Sequence, residues 1–244
     1  MDRIIKITLG IFIIILVAFA AVFVYNGYVE NAYRSSLSST YTYSCTFGTD
    51  SPLYNVTLFI PLPANRAGNS PVVNQFSAFQ VPGVPDTWKT VIIGSDKMTM
   101  LKVTTPAIIP PAGTSAKNPY LIRFGTEVST KGPIDTANPV LDSAMFRPVK
   151  ITGTSECPKG SAGTSCISYY TTSFYADYTA NPDAEVTFAS ELVGKNTWKI
   201  FEPKSNEYRT GINLLLFGEN HGWTAAKGSL ESGIGIYDAP VLPS

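Results

Sequence analysis

One histidine, three cysteines and a charged fraction of only 15% limit the chemistry this chain can carry. With His221 alone, a histidine-based metal cluster cannot form within one chain. A Ser-His-Asp arrangement would need that residue plus a nucleophile in a strained turn, and no G-x-S-x-G supplies one. Also missing are a P-loop, a G-x-G-x-x-G after a strand, a Cys-x-x-Cys-His haem site and the dense acidic spacing of a calcium loop. His221, in Gly218-Glu-Asn-His-Gly-Trp223, reads as a loop residue. The sequence therefore names no catalytic residue, no metal ligand and no cofactor, and reads as non-enzymatic. Net charge is absent too, with 18 basic against 18 acidic residues, which argues against nucleic acid as a partner.

The acids are dispersed. Asp183 with Glu185, and Glu202 with Glu207, are the closest pairs away from the termini. A glycosidase pair is set by the fold and not by sequence spacing, so spacing alone decides nothing here. The plainer reading is solvated charge on strand edges, which discourages edge-to-edge aggregation.

What is present is concentrated at the start. Ile7 to Tyr25 (ITLGIFIIILVAFAAVFVY) carries no charge. As a helix at ~1.5 Å per residue it spans roughly 28 Å, close to the hydrocarbon core of a bilayer. Arg3 and Lys6 precede it, and Glu30 is the first charge after it. The positive-inside rule then predicts a cytoplasmic segment 1–6, a transmembrane helix 7–25 with the lipid bilayer as its partner, and an extracellular domain 38–244. Tyr25 and Tyr28 fall where an interfacial aromatic belt would lie. The alternative is a secreted protein cleaved at Ala18-Phe-Ala20, but Val22, Phe23, Val24 and Tyr25 continue the apolar run past that site, and its 19 residues exceed the usual signal-peptide core of about 7–15 residues.

Apolar Tyr28, Ala32 and Leu37, with Glu30 and Arg34 as an i,i+4 pair, extend the helical pattern to 37. Ser35 to Ser39 reads as an exit and short linker. A membrane helix prolonged by a polar helix and capped by a β head also resembles pilin-like filament subunits. Their processing site is a Lys/Arg-Gly pair before the apolar run, with a Glu five residues into it. Here Gly10 follows Leu9 and no Glu lies between Ile11 and Tyr25, which argues against standard pilin processing.

The remainder is rich in strand formers, with 13 Tyr and 13 Phe, and is punctuated by 18 Pro and 19 Gly. Expected strands are 40–47, 53–60, 88–93, 98–104, 120–128, 145–152, 167–178, 184–189, 197–201, 211–217 and 233–237. Pro61 and Pro63 are expected to end the second. No stretch past the first helix sustains a 3.6-residue period. The fold class is mainly β, an antiparallel β-sandwich preceded by one transmembrane α-helix. Two sandwiches with a break near 153 are the alternative to one. Residues 49–57 and 179–187 share the pattern T-x-x-P-x-x-x-V-T, the signature of either a duplication or two similar turn-then-strand units.

Cys157 and Cys166 bracket a turn-rich loop and would face an oxidising exterior, so they are expected to pair. Closing a loop of about ten residues stabilises by roughly 2.5–3 kcal/mol in the chain-entropy model. Cys45 is in phase with Tyr41, Tyr43 and Phe47 and reads as a buried small hydrophobe. Asn55-Val-Thr57 is a glycosylation sequon, with Asn55 expected to face outward, opposite to Tyr54, Val56 and Leu58. Trp88 and Trp198 read as core residues, and Trp223 as an exposed aromatic able to stack on a sugar or a protein.

An anchor, an aromatic and Thr-rich β domain and pieces such as Asn55-Val-Thr-Leu-Phe-Ile-Pro-Leu-Pro63 resemble small membrane-anchored surface proteins of archaea, methanogens especially. The resemblance implies location and layout, and no activity. Three functions follow in order. The first is a structural or interaction domain at the cell surface, with other surface proteins as partners. The second is a subunit of a helix-cored filament or lattice, whose partner is a second copy of itself. The third is a carbohydrate-binding or hydrolytic domain, with glycans as partners.

Overall fold

The computed structural model describes residues 2–78, 81–95, 98–147, 150–151 and 165–237. Asp2–Ser36 is one unbroken helix, α1. At 1.5 Å per residue its 35 residues measure about 52 Å. Its apolar part is long enough to cross a membrane and is not buried against the rest of the protein.

No linker follows α1. Ser35–Ser39 was expected to be one, yet α1 reaches β1 (Ser38–Thr49) through Leu37 alone. The serines act on the last turn of the helix instead. Ser36 Oγ donates to Ala32 O at 2.6 Å and accepts the Lys199 N–H at 2.9 Å, and the Leu37 N–H reaches Tyr33 O at 2.9 Å. Tyr33 is buried, its ring 5.7 Å from Trp198 and edge-on to it. Glu30 and Arg34 pair at 2.8 Å; an exposed pair of this kind contributes only about 0.3–0.5 kcal/mol, so buried Tyr33 and the Ser36 bonds do most to seat the helix.

The other strands are β2 (Leu53–Ala64), β3 (Lys89–Ser95), β4 (Met98–Ile108), β5 (Tyr120–Thr130), β6 (Met145–Phe146), β7 (Lys150–Ile151), β8 (Cys166–Thr179), β9 (Glu185–Lys199), β10 (Pro203–Phe217) and β11 (Asn220–Gly235). They form one antiparallel sheet in the order β3-β4-β2-β8-β11-β10-β9-β1-β5, with β6 on β2 and β7 on β8. The mainly β, antiparallel fold with one N-terminal helix is the class expected from sequence. The two layers are the two flanks of this single curled sheet. Phe174 of β8 and Phe188 of β9 lie three strands apart along the sheet, yet their rings sit 4.7 Å apart across the core. One hydrophobic cluster draws on strands before and after residue 153, which itself lies outside the described residues.

The repeated T-x-x-P pattern has a simple basis. Each copy is the connection that carries the chain from one flank to the other, from β1 to β2 and from β8 to β9. The two connections touch, with the Glu185 N–H donating to Asp50 Oδ1 at 2.9 Å and the Asp50 N–H to Glu185 O at 3.2 Å.

Between the sheet's free edges sits α2 (Pro71–Ser77), which sequence periodicity missed because seven residues give too few turns. Its start was readable in Ser70-Pro71. Ser70 Oγ accepts the Val73 N–H at 3.1 Å and proline occupies the first turn. Phe76 carries α2 into the core, edge-on to Tyr43 at 5.6 Å and to Phe124 at 6.1 Å.

Two further strand expectations change. Pro61 and Pro63 do not stop β2. They pair with Met100 of β4 and Phe146 of β6, and they lie beyond Phe59, the last β2 residue that pairs with β8. A missing N–H is tolerated where one side of a strand has become an edge. The stretches 184–189 and 197–201 merge into β9, while 211–217 and 233–237 are the ends of the longer β10 and β11. The stretch 145–152 splits into β6 and β7, with residues 148, 149 and 152 outside the described set.

Candidate functional site

A row of side chains crosses the outer face of five adjacent strands in register. Val91 lies opposite Lys102, Lys102 opposite Phe59, Phe59 opposite Tyr175 and Tyr175 opposite Trp223. At about 4.8 Å between strands the row is roughly 19 Å long. Phe59 stacks on Tyr175 at 4.6 Å, and Trp223 stands edge-on to Tyr175 at 5.3 Å and to Phe59 at 5.8 Å. Lys102 Nζ lies 5.8 Å from the Phe59 ring centroid, within cation–π range. Trp223 is 57% exposed, so its ring face stays available while its neighbours hold its orientation. Phe59 and Tyr175 were invisible as partners of Trp223 in the sequence, because only the β2–β8–β11 register brings them together.

His221 is not in a loop. It lies in β11, two residues before Trp223, directly opposite Asp177 of β8. Nδ1 sits 2.7 Å from Asp177 Oδ1, and Nε2 lies 3.7 Å from Glu219 Oε2. The hydrogen bond to Asp177, with the charges of Asp177 and Glu219, raises the imidazole pKa above its ordinary value. The extra favourable interaction belongs to the protonated form. It is present at low pH and is lost as pH rises through the folded-state value. An NMR titration of this single imidazole is expected to give a midpoint above the ordinary ~6.5. Asp177→Asn should bring the midpoint down; an unchanged midpoint would refute the pairing.

Glu207 is held by Arg209 at 2.7 Å and Lys195 at 3.6 Å, which leaves it an ion-paired carboxylate. A shallow concavity of about 410 Å³ on the outer face holds Glu191, Arg209 and Glu231 beside Tyr169. Among the described residues no group of three His, Cys, Asp or Glu side chains converges as metal ligands would. Cys45 is free and buried, and burial pushes its thiol pKa up, so it is an inert thiol at neutral pH.

Of the remaining sequence candidates, Trp88 and Trp198 are buried in the core. Asn55 is exposed at a bulge between Tyr54 and Thr57, with φ +53°, a left-handed conformation that asparagine tolerates. The bulge changes the phase of the strand, so Tyr54 also faces out, contrary to the simple alternation. Cys166 opens β8, but Cys157 lies outside the described residues, and so does the pairing expected between them.

Comparison with known proteins finds no matching family model, no matching curated protein and no matching solved structure.

Proposed function

We propose that this chain is a single-pass surface protein whose helix holds a β domain outside the cell for structural or interaction purposes. The observation that carries this reading is the unbroken α1, apolar over a membrane's width and joined to the domain without a linker. Arg3 and Lys6 favour residues 1–6 on the cytoplasmic side. The docking of Tyr33 on Trp198 holds the domain at a set height and angle, which suits a display or spacer role better than a free tether would. In sealed cells expressing the full chain, the protein is expected to stay in membranes through alkaline carbonate. Protease added outside should remove a C-terminal epitope. Release by carbonate, a new N-terminus after Ala20, or an epitope protected until the cells are opened would each overturn this reading.

The aromatic row supports a second role, contact with a glycan. Phe59 and Tyr175, stacked on each other, brace Trp223, whose exposed ring offers an apolar surface on which a sugar ring can stack. Binding to a glycan array that Trp223→Ala abolishes would support it. An empty array would leave the platform to protein contacts.

A further inference from the structure

We infer that the tip of the β9–β10 hairpin is a second membrane contact, with Phe201 seated in the lipid interface beside α1. This rests on the membrane reading of α1 and adds to it a statement about the domain. Phe201 is 62% exposed at the turn between Lys199 and Pro203, and a phenyl ring at interfacial depth would bury its apolar surface in lipid. Its ring lies 6.0 Å from that of Tyr28. Tyr28 is three residues past Tyr25, where the segment read as transmembrane ends, and so roughly 4.5 Å further along the helix. The headgroup layer on each side of the hydrocarbon core is about 5–7 Å thick. The Tyr28 level is therefore headgroup depth, where amphipathic aromatic residues concentrate.

The hairpin cannot easily leave that depth. Ser36 binds the Lys199 backbone, and Trp198 packs on Tyr33, so helix and hairpin move together. Lys199 and Lys204 stand on the two strands just behind the tip, lining a cleft of about 330 Å³ with Ser36 and Trp198. Trp198 keeps a buried indole N–H with no protein acceptor. Lysines placed behind an inserted phenyl ring can reach lipid phosphates with their ammonium groups while their stems lie along the apolar surface. Glu202, also exposed at the tip, faces the headgroup layer and offsets one of these charges.

The test uses the full chain in lipid nanodiscs containing a phosphate-headgroup lipid, with an environment-sensitive fluorophore on single introduced cysteines. Phe201→Cys reports the tip, Ile14→Cys the helix, and Ser115→Cys a loop at the opposite end of the domain. Buried Cys45 is protected from labelling, and Cys157→Ser with Cys166→Ser removes the other two thiols from the background. The label at 201 is expected to be at least about threefold less accessible to aqueous iodide than that at 115, and to be quenched by a shallow lipid-borne quencher. A label at 201 as accessible as that at 115, with 14 protected, would overturn the hairpin contact alone. A label at 14 open to iodide would overturn the membrane reading and this inference together.

Discussion

Gly194→Val is expected to destabilise the β domain by about 3 kcal/mol or more. A Cβ at Gly194 would lie 2.2 Å from Tyr208 Cε1 and 2.9 Å from Cζ. Tyr208 is directly opposite Gly194 across β9 and β10, fully buried, and its ring lies over the glycine where a side chain would stand. The ring cannot swing away, because its hydroxyl donates to Ala144 O at 2.6 Å and would lose that bond in the core. The same device recurs at Gly228, opposite Tyr170, whose hydroxyl meets Thr210 Oγ1 at 2.6 Å. Thermal unfolding of the full chain in nanodiscs, followed by near-UV circular dichroism, reads the effect. Gly211→Ala, where the nearest atom would be 3.5 Å away, should leave the transition close to wild type. Gly194→Ala combined with Tyr208→Leu should cost less than the two changes added separately, because each removes the other's reason to be costly. Strict additivity would show that the ring and the glycine are not coupled.

These tyrosines also explain which strands the sequence hid. β1 was legible because its inward residues, Tyr41, Tyr43, Cys45 and Phe47, are all apolar and alternate cleanly. β9 alternates as regularly, but its inward positions include Ser190, Gly194 and Asn196. They need not be apolar, since a neighbouring tyrosine fills the volume or a polar partner meets them. β11 turns Ala226 and Gly228 inward for the same reason, so only its end looked like a strand. The helix was legible because a charge-free run needs no partner to be recognised. The aromatic row and the Phe201–Tyr28 contact were not, because each depends on residues far apart in sequence meeting through register or docking. The sequence identified Trp223 as exposed material for a site, and the sheet supplied its neighbours.

Asn196→Ala is expected to cost about 3 kcal/mol, although the asparagine touches neither the exposed aromatic row nor the helix. Asn196 Oδ1 accepts from Ser39 Oγ at 2.7 Å and from the Ile134 N–H at 2.9 Å. Nδ2 donates to Ile134 O and to Asn206 Oδ1, each at 2.8 Å. Asn206 in turn accepts from Thr136 Oγ1 at 2.9 Å and donates to Ile236 O at 3.2 Å. Removing the amide strips four buried groups of a partner at once, where one lost surface bond would cost far less. Asn196→Asp should be worse at neutral pH. It keeps the acceptor toward Ser39 and Ile134 but turns a carboxylate oxygen toward Ile134 O and Asn206 Oδ1. Burial and those oxygens would raise the new carboxyl's pKa above the ordinary ~3.9. Its penalty is therefore full above the folded-state value and shrinks as pH falls through it, when the carboxyl regains a proton to donate. Denaturation of the full chain at neutral and acidic pH separates the two substitutions: only the aspartate variant should recover on acidification. The network's position gives it a wider consequence. Ser39 lies one residue inside β1, and Asn196 two residues before Trp198, the residue on which Tyr33 of α1 packs. Hydrogen exchange should therefore rise in residues 131–144 and at the α1–β1 junction in the alanine variant, while β4 stays protected. A uniform rise across the domain would assign Asn196 to global stability alone and deny it any part in setting the domain on its helix.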